Sequence, residues 1–232
     1  MMVLEATDLT KTFVGGDGGL LTVLDGVSLQ VQRGEMVAIL GASGAGKSTL
    51  LHLLGALDRP TRGHVTIGGS SIDGMGDEAL AALRNRNVGF VFQFHHLLRE
   101  FSALENVMIP LRIGGWSVEK AQPRAEALLE RVGLGGRMTH HPSALSGGEQ
   151  QRTAVARALA IDPAILLADE PSGNLDHANA ERLHDLFEEL ARDLETAMVI
   201  ATHNRALAAR ADRVFALEDG KLVETTVGEA VP

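Results

Sequence analysis

The chain has 232 residues, enough for one large domain or two small ones with a real core. Hydrophobic residues make up 45% and charged residues 22%, which argues against disorder, and a formal net charge of −9 with no long Lys/Arg run argues against a nucleic-acid partner. There is no cysteine, which excludes disulfides, thiolate metal sites and a cysteine nucleophile.

Segments around 3–13 and 21–31 are rich in Val, Leu and Thr and read as strands. A glycine-rich stretch, 14–19, joins them as a hairpin loop. Met36 to Leu40 is a short buried strand, followed by a Gly/Ala/Ser loop and a helix from Lys47 to Leu57 with leucines at helical spacing. A polar helix is expected over 77–86 and a strand over 88–93. From about 94 to 160 the pattern is mostly helical, with candidates at 103–111, 118–132 and 147–160. Alternation then returns: strand 165–168, helix 178–194, strand 197–201, a short helix 204–210 and a hairpin, 214–217 with 221–223, around Glu218-Asp219-Gly220. Strands alternating with helices imply a parallel sheet with crossovers, and the helical stretch reads as an insertion into it. No segment approaches the ~18 apolar residues of a bilayer span. The first eight residues lack the basic and apolar regions of a secretory signal. Work at a membrane would then pass through a partner chain.

Gly41-Ala42-Ser43-Gly44-Ala45-Gly46-Lys47-Ser48 fits G-x-x-x-x-G-K-[ST], with Thr49 following. Small residues let consecutive backbone N–H groups converge on phosphate oxygens, and the helix beginning near Lys47 aims its free N–H groups and positive dipole end at the same anion. Lys47 can bridge the β- and γ-phosphates, and the Ser48 hydroxyl can ligate Mg²⁺. Such a loop alone does not separate kinases, GTPases and ATPases. The apolar strand Ile165 to Ala168 ends in Asp169-Glu170. Its C-terminal end, placed beside the phosphate loop, makes Asp169 the candidate for metal and Glu170 the candidate for polarising a water.

Leu145-Ser146-Gly147-Gly148-Glu149-Gln150-Gln151-Arg152 resembles the signature of ATP-binding cassette (ABC) ATPases, lying between the phosphate loop and the Asp-Glu strand in the family's order. Ser146, Gly147 and Gly148 open a helix and so make a second anion site. The resemblance covers roughly residues 3–224. It implies a P-loop NTPase of the α/β class with a RecA-like parallel-sheet core, an N-terminal antiparallel β subdomain and a helical subdomain inserted at about 94–160. A tail would follow at 225–232.

It also implies a homodimer packed head to tail, with ATP and Mg²⁺ between the phosphate loop of one copy and the signature, Ser146 to Glu149, of the other. Gln93 matches the glutamine that touches Mg²⁺ or the attacking water. His203 matches the switch histidine at the γ-phosphate. Asp176, in Ser172-Gly173-Asn174-Leu175-Asp176, matches the segment crossing the dimer interface. Phe13 stands where the family usually has a tyrosine stacked on adenine; stacking and core packing both fit it. Lys47 and Glu170 carry the expected charge stabilisation and base.

Four of the seven phenylalanines lie between 90 and 101. They suit a docking surface or a local core, and both can hold. Phe92-Gln93-Phe94-His95-His96-Leu97-Leu98 is similar to the ATPases of lipoprotein-releasing systems. Other stretches are shared with macrolide-export and cell-division relatives. Arg99 and Ser172 depart mildly from that group, which more often has Pro and Thr. The resemblance thus implies integral-membrane permease partners of the lipoprotein-releasing type and a peripheral place at the cytoplasmic face of the inner membrane. The alternatives are an export ATPase of the macrolide-exporter type, or a nucleotide-gated regulator of a membrane protein, as in the cell-division relatives, without cargo.

Overall fold

A computed structural model describes residues 1–16 and 18–229; Asp17 in the expected hairpin loop and the last three residues of the expected tail lie outside it. Two sheets organise these residues. In the first, β1 (Met2–Val14) and β2 (Leu20–Gln32) form the expected antiparallel pair, and β4 (Arg62–Ile67) adds to the other edge of β1, followed by the two-residue β5 (Ser70–Ser71). Buried Leu4, Ala6 and Leu9 face buried Val27, Leu29, Val31, Val65 and Ile67. A register shift between Ala6 and Leu9 puts Asp8 at φ 51. Gly63 lies against that irregularity, where a Cβ would stand 2.5 Å from the Asp8 carbonyl oxygen.

The second sheet has the order β10-β9-β3-β8-β7-β6. Its strands are β3 (Met36–Leu40), β6 (Val88–Val91), β7 (Ile165–Asp169), β8 (Ala197–Ala201), β9 (Arg213–Glu218) and β10 (Lys221–Thr225). All neighbours are parallel except β10, the hairpin partner of β9. Side chains alternate between two cores. Val37, Ile39, Ile165, Leu167, Val199 and Ala201 pack with α1 (Lys47–Leu54) and the first sheet. Leu166, Ala168, Met198 and Ile200 pack with the helical stretch. Covering on both faces is what an all-apolar strand such as β3, buried at all five positions, requires.

The helical stretch contains α3 (Ala103–Ile113), α4 (Val118–Arg131) and α5 (Gly147–Leu159). Ser102 and Ser146 start α3 and α5 with capping boxes, each closed by the glutamate three residues on. The polar helix is α2 (Asp77–Asn87), and α6 (His177–Leu194) and α7 (Arg205–Ala208) follow the later strands.

Two expectations that bear on the site need correction. The helix after the phosphate loop stops at Leu54 rather than Leu57: Ala56 turns to a left-handed φ of 53, and Gly55 passes so close under the Phe90 ring that a Cβ would stand 2.3 Å from it. The strand expected over 88–93 ends at Val91, so Gln93 lies in the loop beyond it. β4 was not foreseen. The strand carrying Asp169 is not adjacent to β3, since β8 lies between them.

Candidate active site

The phosphate loop leaves β3 and enters α1. Gly46 is the N-cap of α1 at φ 103, and a Cβ there would lie 2.9 Å from Val23 Cγ1. Gly41 passes so close to β9 that a Cβ would lie 2.8 Å from the Leu217 carbonyl oxygen. Only glycine meets both demands. Lys47 is 7% exposed, and its Nζ donates to the carbonyl oxygens of Gly41 (2.7 Å) and Ala42 (3.2 Å). A short turn from the Ala45 N–H to the Ala42 carbonyl shapes the rest of the loop.

A cleft of about 650 Å³ opens over this loop, lined by Ser43, Gly44, Gly46, Lys47, Ser48 and Thr49. Opposite them stand Gln93, Asp169, Glu170 and His203, with Val23 from the first sheet. The intervening β8 does not separate the two halves, because parallel strands deliver their C-terminal ends to one rim. The Thr202 N–H, just past β8, donates to the Ile39 carbonyl (3.0 Å), and the Glu170 N–H donates to Ala201 (2.8 Å).

Glu170 is the hub. Its backbone is left-handed, at φ 44. One carboxylate oxygen lies 3.6 Å from Lys47 Nζ. The other accepts from the Thr202 hydroxyl (3.1 Å) and the His203 N–H (3.2 Å), and lies 2.9 Å from His203 Nδ1. The His203 side chain is nonetheless 71% exposed at the rim of the cleft. Gln93 is held by Asn174, and the Gln151 amide donates to the Phe92 carbonyl (2.9 Å) at the base of the same loop. Thr202 and Asn174 escaped the sequence reading. Their roles depend on neighbours far along the chain, and no local pattern marks them.

Among the described residues no group of three or more His, Asp or Glu side chains could hold a metal unaided. The Ser48 hydroxyl, the Gln93 amide and the Asp169 carboxylate share one cleft with the phosphate loop. Few, hard oxygen donors beside a phosphate cradle suit Mg²⁺, which takes its remaining ligands from phosphate and water.

The remaining expected residues lie elsewhere. Ser146 caps α5, accepting from the Glu149 N–H (3.3 Å), while Glu149 accepts from the Ser146 N–H (2.8 Å) and pairs with Arg137 (3.1 Å). The Ser146 N–H, as the main cause, holds the Glu149 carboxyl below the usual range. Gly147 is open, with nothing within 4 Å of a Cβ position, and Gly148 packs under Asn179. Asp176 caps α6, accepting from the Asn179 N–H (2.9 Å). None of these lines the chain's own cleft. Phe13 is 40% exposed at the end of β1 and joins neither core, so the core-packing reading of it is not realised; Lys11 Nζ lies 5.0 Å from its ring centroid. The aromatic stretch divides: Phe90 stacks on Phe92 at 5.2 Å, whereas Phe94 and Phe101 are exposed.

A parallel sheet with a glycine loop at one strand end, and an Asp-Glu pair facing it across a polar cleft, defines a P-loop nucleotide hydrolase. The signature helix narrows the class, and the ABC transporter family model matches residues 24–173. The chain belongs to the ABC transporter family, and within it to the ATP-binding subunits whose hydrolysis is coupled to transport. Curated relatives named lipoprotein-releasing system ATP-binding protein LolD match over nearly the full length. The one from Cytophaga hutchinsonii is 52% identical, covering 95% of this chain and 99% of that protein. The one from Xylella fastidiosa (strain Temecula1) is 54% identical, covering 98% and 94%. The solved dimer of the ATP-binding cassette MJ0796, in a post-hydrolysis state bound to ADP and Pi, superposes with a TM-score of 0.88 at 37% identity, covering 97% of this chain and 98% of that one. The fold expected from the sequence is therefore the fold observed.

Proposed function

We propose that this chain is the ATPase of a lipoprotein-releasing transporter, working as a homodimer at the cytoplasmic face of the inner membrane. Its partners are integral permeases of the LolC/LolE type. The observation that carries the catalytic part is Glu170, whose carboxylate is held by Lys47, Thr202 and His203 at the rim of the phosphate-loop cleft.

In this reading residues 3–224 form the ATPase unit, with 94–160 as its helical subdomain. Residues 41–49 cradle the triphosphate with backbone N–H groups, and Lys47 balances charge on the β- and γ-phosphates. Ser48, Gln93 and Asp169 would hold Mg²⁺, which neutralises phosphate charge when bound. Glu170 orients a water and takes its proton. The water oxygen bonds to the γ-phosphorus, the bond to the bridging oxygen breaks, and its electron pair leaves on ADP. His203 steadies the departing phosphoryl oxygens. Ser146, Gly147, Gly148 and Glu149 lie away from the chain's own cleft, and they serve the nucleotide of the second copy, with Asp176 at the interface. Phe13 offers its ring face to adenine. Cargo release rests on the LolD relatives and on the exposed Phe94 and Phe101, which suit a permease contact.

The test is Glu170→Gln in the purified complex. Turnover should fall by more than about 10²-fold while ATP-dependent dimers persist on gel filtration. Parental turnover would refute the base assignment. For cargo, the chain co-expressed with its two permeases should release a lipoprotein from vesicles only when ATP is supplied. ATP hydrolysis without any release would favour a regulator instead.

A further inference from the structure

Among the described residues two ionisable side chains are buried, Lys47 and His184. The function absorbs Lys47. His184 sits on α6 with 0% exposure, and its Nε2 lies 3.0 Å from the hydroxyl of Ser172, itself buried. Nδ1 has no hydrogen-bond partner but faces Glu181 Oε1 at 3.4 Å. Glu181 is also held by Arg210 (2.8 Å), which pairs with Asp185 and Glu188 as well.

A proton on Nδ1 places positive hydrogen toward the Glu181 carboxylate, whereas a lone pair there would repel it. Nε2 is then the acceptor, and the Ser172 hydroxyl donates to it. Burial holds the ring neutral, consistent with that arrangement. An apolar side chain would be cheaper to bury at this position. What the imidazole adds, besides its approach to Glu181, is a directed bond to Ser172.

Ser172 lies two residues past Glu170 in a short strap that runs to the Asp176 cap. The Gly173 N–H donates to the Glu170 carbonyl (3.0 Å), and the Leu175 N–H donates to the Ser172 carbonyl (3.1 Å). The strap also carries Asn174, the partner of Gln93. Two residues of the cleft, Glu170 and Gln93, therefore hang from a segment tied to α6 through Ser172 and His184. We propose that His184 is a positioning residue for ATP hydrolysis, acting through Ser172 to fix the strap 170–176 and with it the carboxylate of Glu170. This rests on the reading of Glu170 given above.

The experiment is a double-mutant cycle on steady-state ATPase activity, with melting curves for each variant. Ser172→Ala and His184→Leu should each lower kcat by about fivefold to tenfold, with KM for ATP within about twofold, because the phosphate loop is untouched. The double variant should fall no further than either single one. His184→Gln, whose amide reaches the place of Nε2, should restore most of kcat; a purely packing role would not be rescued by it. Should His184→Leu fail to fold, Ser172→Ala and His184→Gln still decide. Parental kcat in Ser172→Ala, or multiplicative losses in the double variant, would overturn the proposal even while Glu170→Gln is inactive. An active Glu170→Gln would instead overturn the reading beneath it, and this proposal with it.

Discussion

Gln93 and Asn174 stand 81 residues apart and hold each other twice: Gln93 Nε2 donates to Asn174 Oδ1 at 3.2 Å, and Asn174 Nδ2 donates to the Gln93 carbonyl at 3.1 Å. The pair ties the loop beyond β6 to the strap beyond β7. Asn174→Ala removes both bonds while leaving the phosphate loop alone. We expect kcat for ATP to fall by about threefold to tenfold with little change in nucleotide affinity. Phosphate-release kinetics beside a nucleotide titration would check it, and an unchanged kcat would count against a role for the pair.

The two left-handed glycines of the phosphate loop should differ in what they tolerate. Gly44 (φ 82) has nothing within 4 Å of a Cβ position, so Gly44→Ala carries backbone strain alone, about 1–2 kcal/mol. Gly46 (φ 103) adds contact with Val23 Cγ1 at 2.9 Å at the N-cap of α1. Gly46→Ala should weaken ATP binding by more than about tenfold and by more than Gly44→Ala does. Equal losses, read by fluorescent-nucleotide titration, would show that the Val23 contact is immaterial.

Features written in consecutive residues were readable before the structure. Residues 41–49, Asp169-Glu170 and Ser146-Gly147-Gly148 each carry their chemistry in local spacing. Features made by distant parts of the chain were not. In β4 only Val65 and Ile67 are fully buried, and the strand exists because β1 offers it an edge. The leucine pattern runs on to Leu57, but the helix stops where the Phe90 ring meets Gly55. Strand order was hidden too, since no property of β7 tells that β8 comes between it and β3. The bonds of Thr202 to Glu170 and of Asn174 to Gln93 follow from that order.

Gly148 and Asn179 make a steric pair between α5 and α6. A Cβ on Gly148 would stand 2.5 Å from Asn179 Oδ1 and 2.7 Å from its Cγ. Gly148→Ala should therefore cost about 1–3 kcal/mol of stability through overpacking. Asn179→Ala loses the side-chain bond to Asp176 (2.7 Å) but keeps the backbone cap. Combining the two changes should cost less than the sum of the singles, because the colliding amide is gone. Urea unfolding of the three variants would reveal the coupling; strict additivity would mean that the helices shift to make room.

Stability should fall as pH drops from 7 toward 5. Burial, the largest cause for each, lowers the pKa of His184 and of His95, where His96 and Arg157 add repulsion. Both rings therefore stay neutral in the fold at a pH where the unfolded chain, titrating near pH 6.5, already takes up protons. The unfolded state binds more protons, so stability rises with pH through this window. It is fully present above the unfolded value and is lost as pH falls toward the folded one. Glu105 and Glu149, lowered mainly by the N–H groups of Ser102 and Ser146, add a second loss below about pH 4.5 by the same sign. His184→Gln cannot titrate, so the drop in its urea midpoint between pH 7 and 5.5 should be shallower than the parent's. An identical slope would assign the acid sensitivity to His95 or another group.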